Sequence, residues 1–102
     1  MDEFIAVTGF QWDEANADKG WLRHGVAWTE CEQVFFNLPL IVVPGKRHLA
    51  AEPRYYALGQ TSAGRYLFLV YTLRGNLIRV VSARPMSRRE RKEYQHGEDK
   101  GA

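Results

Sequence analysis

The 102-residue chain has a single cysteine, Cys31, so no internal disulfide can form. That cysteine and the three histidines nowhere fall at zinc-ligand spacing, which removes the common metal frameworks. No apolar run approaches the roughly 18 residues that a bilayer span requires. The opening MDEFIAVTGF is acidic where a secretion signal would be basic. There is no glycine-rich phosphate loop, no internal repeat and no paired nucleophile and base, so a small-molecule catalyst has no support. These absences lead to the expectation of one cytoplasmic domain, spanning residues 1–94 with a disordered tail over 95–102, free of membrane, metal and cofactor.

What is present is an ordinary globular composition, 45% hydrophobic and 25% charged, over an uneven distribution of charge. The net charge is only +2, yet acids dominate the first 32 residues and Lys and Arg dominate 33–92. Such a basic second part suits a polyanion or an acidic protein better than a neutral metabolite; a merely solvated basic face is the other reading.

Asp13 is placed to cap a helix reaching about His24, closed by Gly25, with Arg23 and His24 in its last turn. TECE at Thr29–Glu32 reads as a capping box for a second helix that stops before Pro39. The period then changes. LIVV (40–43), RYYALGQT (54–61), RYLFLVYTL (65–73) and NLIRVVSAR (76–84) read as four strands, and short links between the last three imply an antiparallel meander. A strand near Phe4–Val7 is a candidate fifth member. SRRE at Ser87–Glu90 opens a short C-terminal helix. The fold class is α+β: two N-terminal helices, an antiparallel sheet of four or five strands, and a last helix.

Hairpin parity puts Phe68, Val70 and Thr72 on one sheet face with Leu77, Arg79 and Val81. Leu67, Leu69 and Tyr71 share the other with Ile78, Val80 and Ser82, and that nearly uncharged face is expected to be the helix-covered core. Arg79 then projects from the more open face, toward solvent, a carboxylate or a phosphate. Trp12, Trp21 and Trp28 are expected in the core.

Three segments carry a resemblance. FQWDEANADKGWLRHGV, the Glu52-Pro53-Arg54 stretch leading to Gly59, and GRYLFLVYTLRGNLIRVVSARPMSRRERKEY occur in the order and spacing of the BrnT-type ribonuclease toxins of type II toxin–antitoxin systems. The chain departs from that pattern at Gly20 (usually Asn), Arg23 (Lys), Asn37 (often Asp) and the inserted Pro53. The resemblance implies a RelE/ParE-like fold, RNA cleavage that blocks translation, and neutralisation by a cognate antitoxin, with which a hetero-oligomer is expected.

Metal-free RNA cleavage needs a base for the 2′-hydroxyl, cations for the phosphorane and an acid for the leaving 5′-oxygen. Arg79, Arg84 and Arg54 are candidates for the cationic role, because a guanidinium stays charged and pairs bidentately with phosphate. The alternatives are an ion pair of Arg79 with Glu52 or Glu90 and a purely strand-end Arg84. His24 is the candidate proton carrier, or else a cation favouring a helix C-terminus. Glu90 is a candidate base with a complete capping-box explanation. Arg88, Arg89, Arg91, Lys92 and Tyr94 form the expected RNA-binding set, the cations for phosphate or antitoxin and the ring for stacking. A non-catalytic module that binds nucleic acid or a partner through the same basic face is the alternative function.

Overall fold

The computed structural model describes residues 7–45 and 52–101. Helix α1 (Glu14–Ala17) starts where expected: the Asp13 carboxylate accepts from the amides of Ala15 and Asn16, and the Asn16 side chain returns a bond to the Asp13 amide. The helical path breaks at Asp18 and resumes as α2 (Lys19–His24), which Gly25 closes in the left-handed region at φ 66°. Helix α3 (Trp28–Phe36) begins slightly earlier than the TECE box suggests. Its N-cap is Ala27, whose methyl offers no acceptor, so Glu30 reaches back to the Ala27 amide at 2.9 Å. Glu30 also holds Arg65 at 3.0 Å.

The sheet has five strands: β1 (Gly9–Phe10), β2 (Ile41–Pro44), β3 (Tyr55–Gln60), β4 (Tyr66–Arg74) and β5 (Leu77–Pro85), in the order β1-β5-β4-β3-β2. β3 to β5 form the expected antiparallel meander, and β2 joins it antiparallel to β3. The fifth strand is β1, lying parallel to β5 and later in the chain than Phe4–Val7, of which residues 4–6 fall outside the described residues. Helix α4 (Arg88–Gly101) is longer than expected and runs through the stretch read as a disordered tail. The reason is side-chain chemistry: Glu98 accepts from the Tyr66 hydroxyl at 3.0 Å and from Gln60 at 3.1 Å.

The core lies on the face expected from parity. Ala57, Leu67, Leu69, Tyr71, Ile78 and Val80 meet Val26, Cys31 and Val34 from the helical layer. Burial in this apolar setting pushes the Cys31 thiol up to about 12, which leaves it an inert packing group. Of the tryptophans, Trp12 packs against the core and donates to Glu32 at 2.8 Å. Trp21 and Trp28 are exposed, against expectation, because α2 and the start of α3 lie at the rim.

One feature of β5 escapes parity. Thr72 opposes Arg79 and Tyr71 opposes Val80, but Val70 opposes Ser82, so Val81 is an inserted residue in the ladder. Beyond the bulge every side chain changes face. Ala83, not Ser82, enters the core, and Ser82 is exposed. Arg84 stands opposite Phe68, on the same face as Arg79. Phe68 and Thr72 are four positions apart, so the two arginines leave the sheet about 13 Å from one another along the strand.

Gly59 marks the tightest contact between the layers, where an added Cβ would lie 2.6 Å from Val34 Cγ1. Gly59→Ala should therefore lower stability by about 1–3 kcal/mol in urea unfolding. Val34→Ala in the same chain should recover part of that loss; full additivity of the two losses would show that the contact is not the cause.

Candidate nucleic-acid interface

The bulge builds the centre of the second sheet face. The Arg84 guanidinium lies over the Phe68 ring, 4.2 Å from its centroid. Its two terminal nitrogens donate to the two oxygens of Glu90 at 2.8 and 2.9 Å, and one also donates to the Pro85 carbonyl at 3.1 Å. Glu90 sits in the first turn of α4, where its carboxylate accepts from the Ser87 amide at 2.8 Å. The expected capping box is thus present, and it doubles as the brace for Arg84. The Arg84 hydrogen bond holds the Glu90 carboxyl below the usual carboxylate range, with the Ser87 amide assisting against partial burial. The same bond raises the Arg84 guanidinium still further. Arg84 therefore offers a fixed, oriented charge with 35% of its side chain exposed. Glu90, with both oxygens engaged, is a poor base and a good brace.

Arg79 behaves differently from expectation. Its side chain is only 11% exposed and pairs with Asp13, at 3.0 and 3.3 Å, while Gln11 accepts a third bond at 3.1 Å. Neither Glu52 nor Glu90 is its partner. Asp13 is 54% exposed, and its carboxyl is held low chiefly by the Arg79 hydrogen bond. The display of Arg79 to solvent is corrected: the turn from β1 into α1 carries the α1 N-cap against the sheet and closes over the guanidinium. Arg79 ties β5 to the first helix.

Arg54 is exposed just before β3. Its neighbour Pro53 turns its carbonyl to accept from the Thr72 hydroxyl at 2.7 Å. Glu52 closes on Arg74 with bonds of 2.9 and 3.1 Å. The Arg74 bond, aided by the fields of Arg54 and Arg79, holds the Glu52 carboxyl low. Arg54 itself has no ion pair among the described residues.

His24 is exposed at the end of α2 and lines a shallow hollow of about 80 Å³ with Lys19, Gly20, Arg23, Val81, Ser82 and Ala83. The bulge residue Val81 and the face-changing Ser82 are thus shared between the His24 hollow and the strand that presents Arg84. Gly20 makes this approach close: an added Cβ would meet the Val26 carbonyl at 3.1 Å and the Ala83 side chain at 3.5 Å. Asn37, another departure from the pattern, donates to the Gln60 carbonyl at 3.0 Å and fixes the end of α3 to β3.

On α4, Arg88, Arg91 and Lys92 line a surface hollow of about 220 Å³ with Gln95, and none of the three has an ion pair among the described residues. Arg89 lies 3.7 Å from Glu93, across one exposed helical turn. Tyr94 does not join this surface. It is fully buried, its ring 5.2 Å from that of Tyr66 and its hydroxyl donating to the Pro39 carbonyl at 2.6 Å. Its expected stacking on RNA is corrected, because its place on α4 points it into the sheet.

Among the described residues no group of three or more His, Cys, Asp and Glu side chains is placed to hold a metal ion, and no helix is long and apolar enough to cross a membrane. Sequence reading placed Phe68 on this face but missed Asp13 as an ion-pair partner and Ser82 and Tyr56 as face residues. Only the bulge would have placed Ser82, and no local pattern signals it.

The lowered Glu90 carboxyl gives a pH dependence whose sign is fixed. The Arg84–Glu90 pair contributes stability above the ordinary value of 4.5 and loses it as pH falls through the lower folded value. Urea unfolding at pH 7 and pH 3 should show Glu90→Gln losing less stability on acidification than the wild type. Equal losses in the two proteins would remove the pair from the acid response.

The description "Ribonuclease toxin, BrnT, of type II toxin-antitoxin system" belongs to the family whose model matches residues 12–90. None of the curated proteins matches the chain. A crystal structure of the Brucella abortus ribonuclease toxin BrnT superposes with a TM-score of 0.60 at 21% identity, covering 80% of this chain and 100% of the other. That likeness concerns the fold, the α+β arrangement described above. The family match runs from Trp12 to Glu90, from the turn that closes over Arg79 to the carboxylate that braces Arg84, and on that extent the chain belongs to the BrnT family of ribonuclease toxins of type II toxin–antitoxin systems.

Proposed function

We propose that this chain is a metal-independent endoribonuclease that cuts messenger RNA in the cytoplasm, thereby blocking translation, and that a cognate antitoxin silences it in a hetero-oligomer. The observation that carries this reading is the fixed charge of Arg84, held by Glu90 on the sheet face away from the core, on the strand whose preceding residues Val81, Ser82 and Ala83 line the His24 hollow. In the proposed step the 2′-oxygen loses its proton and attacks the adjacent phosphorus. The bond from phosphorus to the 5′-oxygen breaks, giving a 2′,3′-cyclic phosphate and a free 5′-hydroxyl. Arg84 faces the charge that grows on the phosphoryl oxygens, where a preoriented donor is most effective. His24 carries the proton to or from a reacting oxygen. Arg54 contacts a second phosphate, and Arg88, Arg89, Arg91 and Lys92 track the strand beyond it. Arg79 and Glu90 act at one remove, Arg79 by fixing β5 and Glu90 by aiming Arg84. The same exposed cations suit an acidic antitoxin segment, whose binding would exclude RNA.

Two measurements bear on this reading. In a single-turnover cleavage assay, Arg84→Ala should slow the reaction by roughly 10²–10³-fold. His24→Ala should slow it by at least about 10²-fold, and EDTA should change nothing. Binding without any cleavage by the wild type would favour the non-catalytic module. Arg88→Ala, Arg91→Ala and Lys92→Ala should each weaken RNA binding and reduce the salt slope by about one, with the rate at saturation preserved. Unchanged slopes would remove α4 from the interface.

A further inference from the structure

A further hollow lies on the sheet face that carries Arg84, between α4 and the strands. Its volume is about 310 Å³, at the small end of the range for ligand pockets. Tyr56 and Phe68 line it, with ring centroids 5.4 Å apart, beside Leu58. Ile41 and Val43 line it from β2, and Glu90 and Glu93 from α4. The cleft exists because α4 is drawn tight against the sheet only farther along, where Tyr94 is buried and an added Cβ at Gly97 would lie 2.8 Å from Ile41.

The two carboxylates of this wall are not equivalent. Glu90 is committed to Arg84 and Ser87. Glu93 is 65% exposed, and its only ion-pair contact among the described residues is the long one to Arg89. An acceptor beside aromatic rings, next to a guanidinium suited to phosphate, matches a flat ring that carries N–H donors on its edge and hangs from a phosphate chain.

We propose that this hollow is a nucleobase subsite and that Glu93 selects the base, favouring guanine; this rests on the ribonuclease reading. Guanine offers a ring N–H and an amino group side by side, which fit the two oxygens of a carboxylate. Adenine and cytosine each offer one amino group next to an unprotonated ring nitrogen, which a carboxylate repels. Uracil offers a ring N–H flanked by carbonyls, which a carboxylate also repels. Glu93 thus acts against the wrong bases as much as for the right one, since a negative charge near RNA is unfavourable unless donors meet it. Tyr56 supplies a ring face for stacking, while Arg84 already covers one face of Phe68.

The test uses the full chain and 2′-O-methyl tetranucleotides, which cannot be cleaved, identical except at one base, with affinity read by fluorescence anisotropy. The wild type should bind the guanine oligonucleotide roughly tenfold more tightly than the uracil one. Glu93→Gln, an exposed substitution that should leave thermal unfolding unchanged, should collapse that ratio toward one without weakening uracil binding. Equal affinity for all four bases in the wild type, or a guanine preference that survives Glu93→Gln, overturns the subsite while leaving the ribonuclease reading in place. Failure to bind any of the oligonucleotides overturns both. If affinity is indifferent to base and Val43→Asp disrupts only complexes with a protein partner, the hollow belongs to a protein side chain and the proposal is again overturned.

Discussion

A single inserted residue governs which side chains of β5 stand on the sheet face away from the core. Val81 bulges out of the ladder between β4 and β5, and from that point the side chains of β5 point to the opposite side. Without it, Arg84 would enter the helix-covered layer, where an ion of its size has no place. With it, Arg84 reaches the Phe68 ring and the Glu90 carboxylate, and the first turn of α4 is capped and braced in one arrangement. The bulge also brings Ser82 to the hollow that contains His24. Fold and site share one local irregularity.

Ion pairing then decides which of the many cations remain available. Arg65, Arg74, Arg79 and Arg84 each hold a carboxylate at about 3 Å, and they do so for different ends. Arg79 is nearly enclosed and serves architecture; Arg84 keeps a third of its surface and stays oriented. Lys19, Arg23, Arg54, Arg88, Arg91 and Lys92 have no ion pair among the described residues. Such exposed cations suit attraction to a polyanion, while a braced guanidinium suits oriented contact.

Much of the fold was legible from period and turn chemistry. The Asp13 cap, the Gly25 stop, the β3–β5 meander and the capping box at Ser87–Glu90 all follow from local signals, and their positions agree with the structure. The face that carries Arg79 was legible too, but its enclosure was not. Its partner Asp13 lies 66 positions earlier, beyond the reach of any local pattern. Parity reasoning failed at Val81 because it assumes an unbroken ladder, and so it misplaced Ser82. Tyr94 shows the complementary limit: a tyrosine in a basic helix suggests stacking on a base, and only the packing of α4 reveals that its ring is a structural anchor.

The proposed division, in which the braced Arg84 would meet RNA while the enclosed Arg79 holds the fold, can be read directly. In a side-chain NMR titration with an uncleavable 2′-O-methyl RNA, the Arg84 guanidinium, the Phe68 ring and the His24 imidazole should all shift, while the Arg79 guanidinium should stay where it is. Movement of Arg79 with Arg84 silent, or changes confined to the outer side of the helical layer, would contradict the account.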